Sequence, residues 1–218
     1  VFLLLRRDFM CQMENARMLE KSVEELQRKV YDDGRSAEAD IADILELTSS
    51  GLADGLTGTV TRSVFSSKLA SALENARDGG SLYVLCFIDL DDFKTINDTY
   101  GHATGDAALK SIGYALRGYE RRYDGMVGRY GGDEFVMLMT DIDDEGELRA
   151  VLDEMVGDLH VDIQVGDAVV SVHCSIGAAV WDRVSDADAL LGQADNALYR
   201  VKQHGKEGYF VFGEEDAQ

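Results

Sequence analysis

The spacing of apolar positions changes near residue 50, and this change divides the chain into two parts. Before it, apolar residues recur every three or four positions, as in helices that pack against one another. After it, continuous apolar runs alternate with helical patterns, which is typical of a sheet covered by helices. We therefore predict N-terminal signalling and dimerisation helices over residues 1–50 and an α/β domain over residues 51–218.

The first helix is predicted over residues 1–35, where an apolar stripe with heptad-like spacing favours a coiled coil. The stripe consists of Phe9, Gln12, Ala16, Leu19, Val23, Leu26 and Val30. Ser36 is a suitable N-cap for a second helix, which ends at Gly51. The chain opens with VFLLLRR rather than Met, and this segment fits either the inner end of a transmembrane helix or the start of the coiled coil. We expect an upstream sensor domain, and a full-length protein that is either membrane-anchored or wholly cytoplasmic.

Helical and strand-like patterns alternate through the second part of the chain. Helices are predicted over residues 63–78, 104–119, 145–159 and 186–203, and strands over residues 81–90, 126–130, 135–140, 169–180 and 208–212. This order predicts a mixed central β-sheet flanked by helices, with one strand-turn-strand unit.

The net charge of the chain restricts the classes of molecule that it can bind. Lys and Arg number 21 and Asp and Glu number 41, which gives a net charge of −20. Such a field repels long nucleic acids, so we expect none as a partner, whereas a small nucleotide bound with a divalent cation stays compatible with it. The three cysteines, Cys11, Cys86 and Cys174, have no metal-ligand or disulfide spacing and fit a reducing cytoplasm.

The stretch RYGGDEF, residues 129–135, admits two interpretations. In the first, Gly131 and Gly132 supply the positive φ angles of a tight hairpin turn, and Asp133 and Glu134 keep that turn solvated. In the second, the glycines let the backbone approach a phosphate-bearing ligand while the carboxylates bind a metal. Asp89, at the end of the predicted strand 81–90, favours the second. A strand-end Asp beside an acidic turn is the arrangement that a two-metal nucleotidyl-transfer site requires.

Four blocks of sequence resemble the GGDEF-domain diguanylate cyclase family, whose fold is related to polymerase palms and nucleotide cyclases. The blocks are DGLTG (54–58), DLDDFKTINDTYGHATGD (89–106), RYGGDEF (129–135) and ADNALYRVKQHGK (194–206). They occur in the family's order, and the resemblance covers about residues 52–213. It implies that the chain condenses two GTP into cyclic di-GMP and releases two pyrophosphates.

The resemblance also implies roles for individual residues. Asp89, the carbonyl oxygen of Leu90, and Asp133 are expected to bind Mg²⁺, with Mn²⁺ as an alternative. Asp133 and Glu134 are expected to help deprotonate the GTP 3′-hydroxyl, with Asp133 favoured as the base. Lys94 is expected to stabilise charge on the phosphates in the transition state.

Further residues are expected to bind the substrate. The backbone N–H groups of Asp92 and Phe93, together with Lys202 and Lys206, are expected to bind phosphates, while Gly131 and Gly132 let the turn approach the nucleotide. Asp106 can accept both the N1–H and the N2–H of guanine, and Asn97 can add a bond at the same edge. Adenine presents an acceptor at N1, so this pair of residues favours GTP over ATP.

Some positions depart from the family pattern. Relatives often carry an inhibitory product site of the form RxxD, with five residues between the acid and the first turn glycine. Here Arg121 and Asp124 form RxxD, but six residues separate Asp124 from Gly131. In the usual register stand Arg122 and Gly125, so the acid is missing and product inhibition is an open hypothesis. Asp54 and Arg62 are interpreted as residues that brace the entry of the following helix.

One such domain binds one GTP, so two protomers must face each other to make a two-fold symmetric product. We therefore expect a homodimer formed through the N-terminal helices and the facing active sites. The alternative from another class is a non-catalytic module that binds GTP or cyclic di-GMP and reports it to a partner. Such modules usually lack the acids of the metal site and the turn, but this sequence retains Asp89, Asp133 and Glu134. A mononucleotide cyclase is a further alternative that the mass of the product distinguishes.

Overall fold

A computed structural model describes residues 51–76 and 81–214. Its elements in chain order are β1 (Val60–Thr61), α1 (Arg62–Asn75), β2 (Leu82–Leu90), α2 (Phe93–Tyr100), α3 (His102–Arg122), β3 (Met126–Arg129), β4 (Glu134–Ile142), α4 (Glu145–Asp158), β5 (Val161–Val165), β6 (Ala168–Val172), β7 (Cys174–Val180), α5 (Ala187–Gln203) and β8 (Tyr209–Val211). The coiled coil expected over residues 1–50 lies outside the described residues, so it stays a prediction.

Six strands form the main sheet in the order β1-β3-β4-β2-β7-β8. The β2 strand lies inside this sheet and runs antiparallel to both β4 and β7, whereas β1 is parallel to β3 and β8 is parallel to β7. Because neighbours and helices cover it on all sides, β2 needs the continuous apolar run that its sequence has. The predicted mixed sheet flanked by helices is confirmed.

Alternate residues of the central strands enter two hydrophobic cores on opposite faces of the sheet. Cys86 and Ile88 of β2 pack in one core with residues of α3 and α4, and Leu85 and Phe87 pack in the other with residues of α1 and α5. This division follows from the two-residue period of a strand. At Gly177 of β7, an added Cβ would lie 2.1 Å from the backbone nitrogen of Leu198, so the glycine permits the close approach of α5.

The predicted elements need correction at β6 and α2, and the prediction also omitted β1 and β5. The single strand predicted over residues 169–180 is two strands, since β6 ends at Val172, β7 begins at Cys174, and β6 pairs with β5 in a separate two-stranded sheet. Alternating exposure distinguishes β6 from the buried β7. Helix α2 was not predicted, because it is only eight residues long and Ile96 is its only fully buried residue.

Candidate active site

The end of β2 and the loop between β3 and β4 lie side by side. Asp89 and Glu134 are paired across β2 and β4. The backbone N–H of Leu90 donates to the carbonyl oxygen of Asp133 at 3.2 Å. The sheet therefore joins the two acidic motifs that the sequence places far apart.

The carboxylates at this junction repel one another. Burial is the main cause of the raised pKa of Asp89, and the charges of Asp133 and Asp91 add to it, while Lys202 acts in the opposite direction. Burial likewise raises the pKa of Glu134, followed by the charges of Asp89 and Asp133. A divalent cation relieves such repulsion, so these residues fit one.

The available carboxylates suit a cation that takes some of its oxygen ligands from the substrate. Among the residues that the structure describes, no three or more His, Cys, Asp or Glu side chains are gathered for a metal ion. Mg²⁺ typically uses one or two carboxylates and takes the remaining oxygens from water and phosphates. Asp89 and Asp133 can supply the carboxylates of such a site.

Replacing Glu134 by Gln is expected to raise the melting temperature at neutral pH when a chelator is present. The raised pKa means that the folded state disfavours the ionised carboxylate, so the penalty exists above the folded-state pKa and vanishes below the unfolded value of about 4.3. Thermal unfolding with and without acidification measures this difference. Glu74→Gln, at an exposed position of α1, is the matched control. A lower melting temperature for Glu134→Gln at neutral pH contradicts the expectation.

The two glycines of the turn do not have the conformation that the first interpretation requires. Neither Gly131 nor Gly132 has a positive φ. An added Cβ at Gly131 would lie 2.3 Å from Oε2 of Glu134, whereas one at Gly132 meets nothing within 4 Å. Gly131 therefore gives room to the Glu134 carboxylate, and the space at Gly132 is open to a ligand.

An arginine links the turn to the DGLTG block. The guanidinium of Arg129 donates to the carbonyl oxygen of Gly132 at 2.6 Å and to Oδ1 of Asp54 at 3.1 Å. Asp54 also accepts from the backbone N–H and hydroxyl of Thr57, at 2.9 and 2.8 Å. Arg62 lies over the ring of Tyr130, 4.2 Å from its centroid. Asp54 and Arg62 thus brace the acidic turn, and not only the entry of α1 as the sequence suggested.

Replacing Asp54 by Ala is expected to lower the free energy of unfolding by about 2 kcal/mol, because a charged acceptor and its partners are lost. Burial alone opposes ionisation of Asp54, but the hydrogen bonds from Thr57 and the charge of Arg129 outweigh it and lower its pKa. The contribution is therefore present above the unfolded pKa of about 3.9 and is lost as the pH falls through the folded value. Urea unfolding at neutral and acid pH measures it, with exposed Asp141→Ala as control. A difference that persists at the lowest pH contradicts this account.

The residues expected to bind phosphates surround the start of α2. Asp92 precedes this helix with a left-handed φ of 54°, and Phe93 begins it. The first N–H groups of a helix have no intrahelical partner, which suits an anion. Lys94 is exposed on the first turn. Lys206 lies beyond the end of α5, at a φ of 67°, and its ammonium donates to Asp92 at 2.7 Å.

Lys202 projects from the last turn of α5 into the acidic junction. Its ammonium donates to Asp89 and, at 2.8 Å, to Asp91. Burial opposes the charge on Lys202, but these hydrogen bonds outweigh burial and raise its pKa. The structure thus brings both expected lysines to the carboxylates at the end of β2. The part played by Asp91 was not predicted, because its partners are distant in sequence.

The two residues expected to read guanine lie on neighbouring helices. Asn97 of α2 holds a buried Oδ1 atom that has no hydrogen-bond partner among the described residues. That atom faces Gly105 of α3, where an added Cβ would lie 2.1 Å away. Asp106 follows at an exposed position. The exposed Asp106 carboxylate is open to N–H donors of a ligand, whereas the Asn97 oxygen reaches one only when its side chain turns away from Gly105.

Two residues of the RxxD segment, for which product inhibition is an open hypothesis, have partners within the domain. Arg122 donates to both carboxylate oxygens of Glu154, at 2.8 and 2.9 Å, and Arg121 is exposed. Asp124 has a positive φ of 42°, and its carbonyl oxygen accepts from Thr140 at 2.7 Å. A Cβ at Gly125 would lie 2.3 Å from the carbonyl oxygen of Leu138, so an acid does not fit there without a backbone shift.

One face of α5 also borders the site, and sequence reasoning assigned a role only to Lys202 on this face. A cavity of about 340 Å³ is lined by residues that include Asp89, Glu134, Asp195, Asn196, Tyr199 and Lys202. Asp195 adds to the negative charge that acts on Glu134. The helical spacing from Asp195 to Tyr199 to Lys202 is the signal that could have indicated this face.

Among the residues described, no helix combines the length and apolar character needed to cross a membrane.

Comparisons with known proteins identify the family and the fold of the chain. Residues 52–208 match the family model described as "Diguanylate cyclase, GGDEF domain". Diguanylate cyclase TpbB of Pseudomonas aeruginosa is 35% identical over 155 residues, covering 70% of this chain and 35% of that protein. Cyclic di-GMP phosphodiesterase PdeR of Escherichia coli is 31% identical over 160 residues, covering 73% of this chain and 24% of that protein. The chain thus spans about a third or less of these two relatives.

A solved structure supports the fold. The GGDEF domain of DgcB from Caulobacter crescentus, in complex with c-di-GMP, superposes with a TM-score of 0.67 at 27% identity, covering 75% of this chain and 96% of that one. The family match extends over most of the chain and includes both acidic motifs at the end of β2 and in the β3–β4 turn. The chain therefore belongs to the GGDEF-domain family of diguanylate cyclases.

Proposed function

We propose that the chain is a diguanylate cyclase that condenses two GTP into cyclic di-GMP and releases two pyrophosphates. The observation that carries this proposal is the junction of Asp89 with the Asp133–Glu134 turn, beside Lys202. Burial, followed by the charges of neighbouring acids, raises the pKa values of Asp89 and Glu134, and carboxylates perturbed in this way are concentrated at catalytic sites.

The reaction divides into tasks that the residues of this junction can perform. Asp133, assisted by Glu134, takes the proton of the 3′-hydroxyl of one GTP. The 3′-oxygen then bonds to the α-phosphorus of the second GTP. The bond from that phosphorus to the bridging oxygen breaks, and pyrophosphate leaves. Lys94 and the N–H groups of Asp92 and Phe93 stabilise the negative charge on the phosphates.

A divalent cation completes the site. Asp89, Asp133 and the carbonyl oxygen of Leu90 are the proposed ligands, and Mg²⁺ is the proposed ion because oxygen donors and phosphates suit it. When bound, it neutralises phosphate charge and polarises the reacting oxygens.

Two protomers are needed, because each binds one GTP and the product contains two linked nucleotides. We propose a homodimer in which the active sites face each other and the N-terminal helices set their approach. At protein concentrations below the dimerisation constant, the rate of product formation then rises with the square of the protein concentration. A rate that stays proportional to concentration down to that range contradicts a site completed by a second copy.

The product assay separates this proposal from its alternative. Purified protein is incubated with GTP and Mg²⁺ beside an Asp133→Ala variant, and the products are identified by mass spectrometry. Cyclic di-GMP that forms with the original chain and not with the variant supports the cyclase. GTP binding without any product at concentrations at which the chain is dimeric supports the non-catalytic module instead.

A further inference from the structure

Asp91 is a buried carboxylate to which the proposed chemistry gives no role. It directly follows β2 and is 5% exposed. Ser175 of β7 donates its hydroxyl hydrogen to this carboxylate, at 2.8 and 3.0 Å from the two oxygens. The ammonium of Lys202 donates at 2.8 Å, and the backbone N–H of Glu207 donates at 3.2 Å. Three elements that are separate in sequence therefore meet at one side chain.

Asp91 is fixed more firmly than the lysine that it contacts. Its backbone N–H donates to the carbonyl oxygen of His173 at 2.8 Å, and Ser175, which is fully buried, holds its side chain. Lys202 has a long flexible stem, and an ammonium on such a stem takes its position from its partners. A buried charged acceptor with several donors is a strong fixed partner.

The turn after α5 depends on the same carboxylate. Gly205, Lys206 and Glu207 have φ values of 110°, 67° and 54°, so three successive residues are left-handed. Two of them carry a Cβ, and such residues persist only where the surroundings hold them. The bond from the Glu207 N–H to Asp91 anchors this turn, which carries Lys206.

We propose that Asp91 is a positioning residue that holds Lys202 directly, and Lys206 through its turn, where they meet the terminal phosphates of GTP. This inference rests on the proposed function. Asp89, the other partner of Lys202, is a proposed metal ligand, so its negative charge is shared with the cation during the reaction. Asp91 then keeps Lys202 at the site, because the burial of Asp91 and its bond to Ser175 prevent the Asp91 carboxylate from turning away.

The test compares two guanine nucleotides. Asp91→Asn is expected to weaken GTP binding about tenfold, as for the loss of one charge-assisted hydrogen bond, and to leave GMP binding within twofold. GMP has no terminal phosphates, and its base is expected at Asn97 and Asp106, away from Asp91. Isothermal titration calorimetry with each nucleotide and Mg²⁺ measures both affinities. Asp141→Asn, at an exposed position of β4, is the matched control and is expected to bind both like the original chain.

A double-mutant cycle tests whether Asp91 acts through the two lysines. In a background with both Lys202→Met and Lys206→Met, Asp91→Asn is expected to weaken GTP binding less than twofold further, because both residues that it positions have been removed. An equal loss in both backgrounds, or an equal loss of GTP and GMP binding, overturns the inference. So does unchanged GTP affinity in a folded Asp91→Asn variant.

Other outcomes are also decisive. If Asp91→Asn does not fold, Ser175→Ala keeps the carboxylate and removes one donor, and it is expected to lower the ratio of GTP to GMP affinity about twofold. An unchanged ratio in that variant overturns the inference. If the original chain binds no GTP, the proposed function fails and the inference fails with it. If the original chain forms cyclic di-GMP and Asp91→Asn binds GTP equally well, only the inference fails.

Discussion

Replacing Asp106 by Asn is expected to change the preferred nucleotide of the chain from GTP to xanthosine triphosphate. In the proposed guanine site the carboxylate accepts the N1–H and N2–H of the base, whereas an amide offers one acceptor and one donor. Xanthine presents N1–H beside a 2-oxo acceptor, which matches the amide and leaves the carboxylate facing an oxygen. The bound base covers residue 106, and polar groups that face each other there without a match carry a large penalty. We therefore expect kcat/KM for GTP to fall by about a hundredfold or more.

The measurement is kcat/KM for both nucleotides with the original chain, with Asp106→Asn, and with Asp141→Asn as the control. Asp106 is exposed on α3, so the substitution does not disturb the core. The unpaired Oδ1 of Asn97 faces Gly105, the residue before Asp106. A variant that loses activity with both nucleotides equally contradicts the assignment of the guanine site.

Replacing Asp89 by Asn is expected to lower the rate of cyclic di-GMP formation by about a thousandfold or more. Asp89 lies at the point where β2 meets the acidic turn, and the neutral amide is a weaker ligand for a hard cation. Lys202 keeps its bond to Asp91, and the substitution removes a charge that burial and the neighbouring acids disfavour, so the variant is expected to stay folded.

The substitution also has a readout that does not depend on turnover. For the original chain, Mg²⁺ and GTP together are expected to raise the melting temperature, because a ligand that binds only the folded state stabilises it. For Asp89→Asn, Mg²⁺ is expected to add little to the effect of GTP alone. An Asp89→Asn variant that retains most of its rate and its Mg²⁺-dependent melting shift contradicts the metal role.

The sequence predicted the elements that hold the site because their patterns are local. The run SLYVLCFIDL is nearly continuous and apolar, as a strand inside a sheet requires, and the predicted strand over 81–90 matches β2. The motif at 129–135 likewise indicated the turn before β4. Helix α2 was missed because it is only eight residues long, with Ile96 and Phe93 as its core contacts.

Other features could not be predicted because they depend on residues that are distant in the chain. Asp91 meets Ser175, Lys202 and Glu207 only after the strands pair and α5 packs on the sheet. The contact of Arg129 with Asp54 likewise joins the turn to a loop before α1. The conformation of Gly131 and Gly132 follows from the ends of β3 and β4, and a Gly-Gly pair by itself does not distinguish a tight turn from an open one.

The central claim is that two GTP become one cyclic di-GMP, and the most direct measurement is the amount of pyrophosphate released per nucleotide product. Both are quantified in one reaction with GTP and Mg²⁺, by a pyrophosphate assay and by mass spectrometry. The account predicts cyclic di-GMP as the product and two pyrophosphates for each molecule of it. A cyclic mononucleotide with one pyrophosphate each, or no product from a dimer that binds GTP, contradicts it.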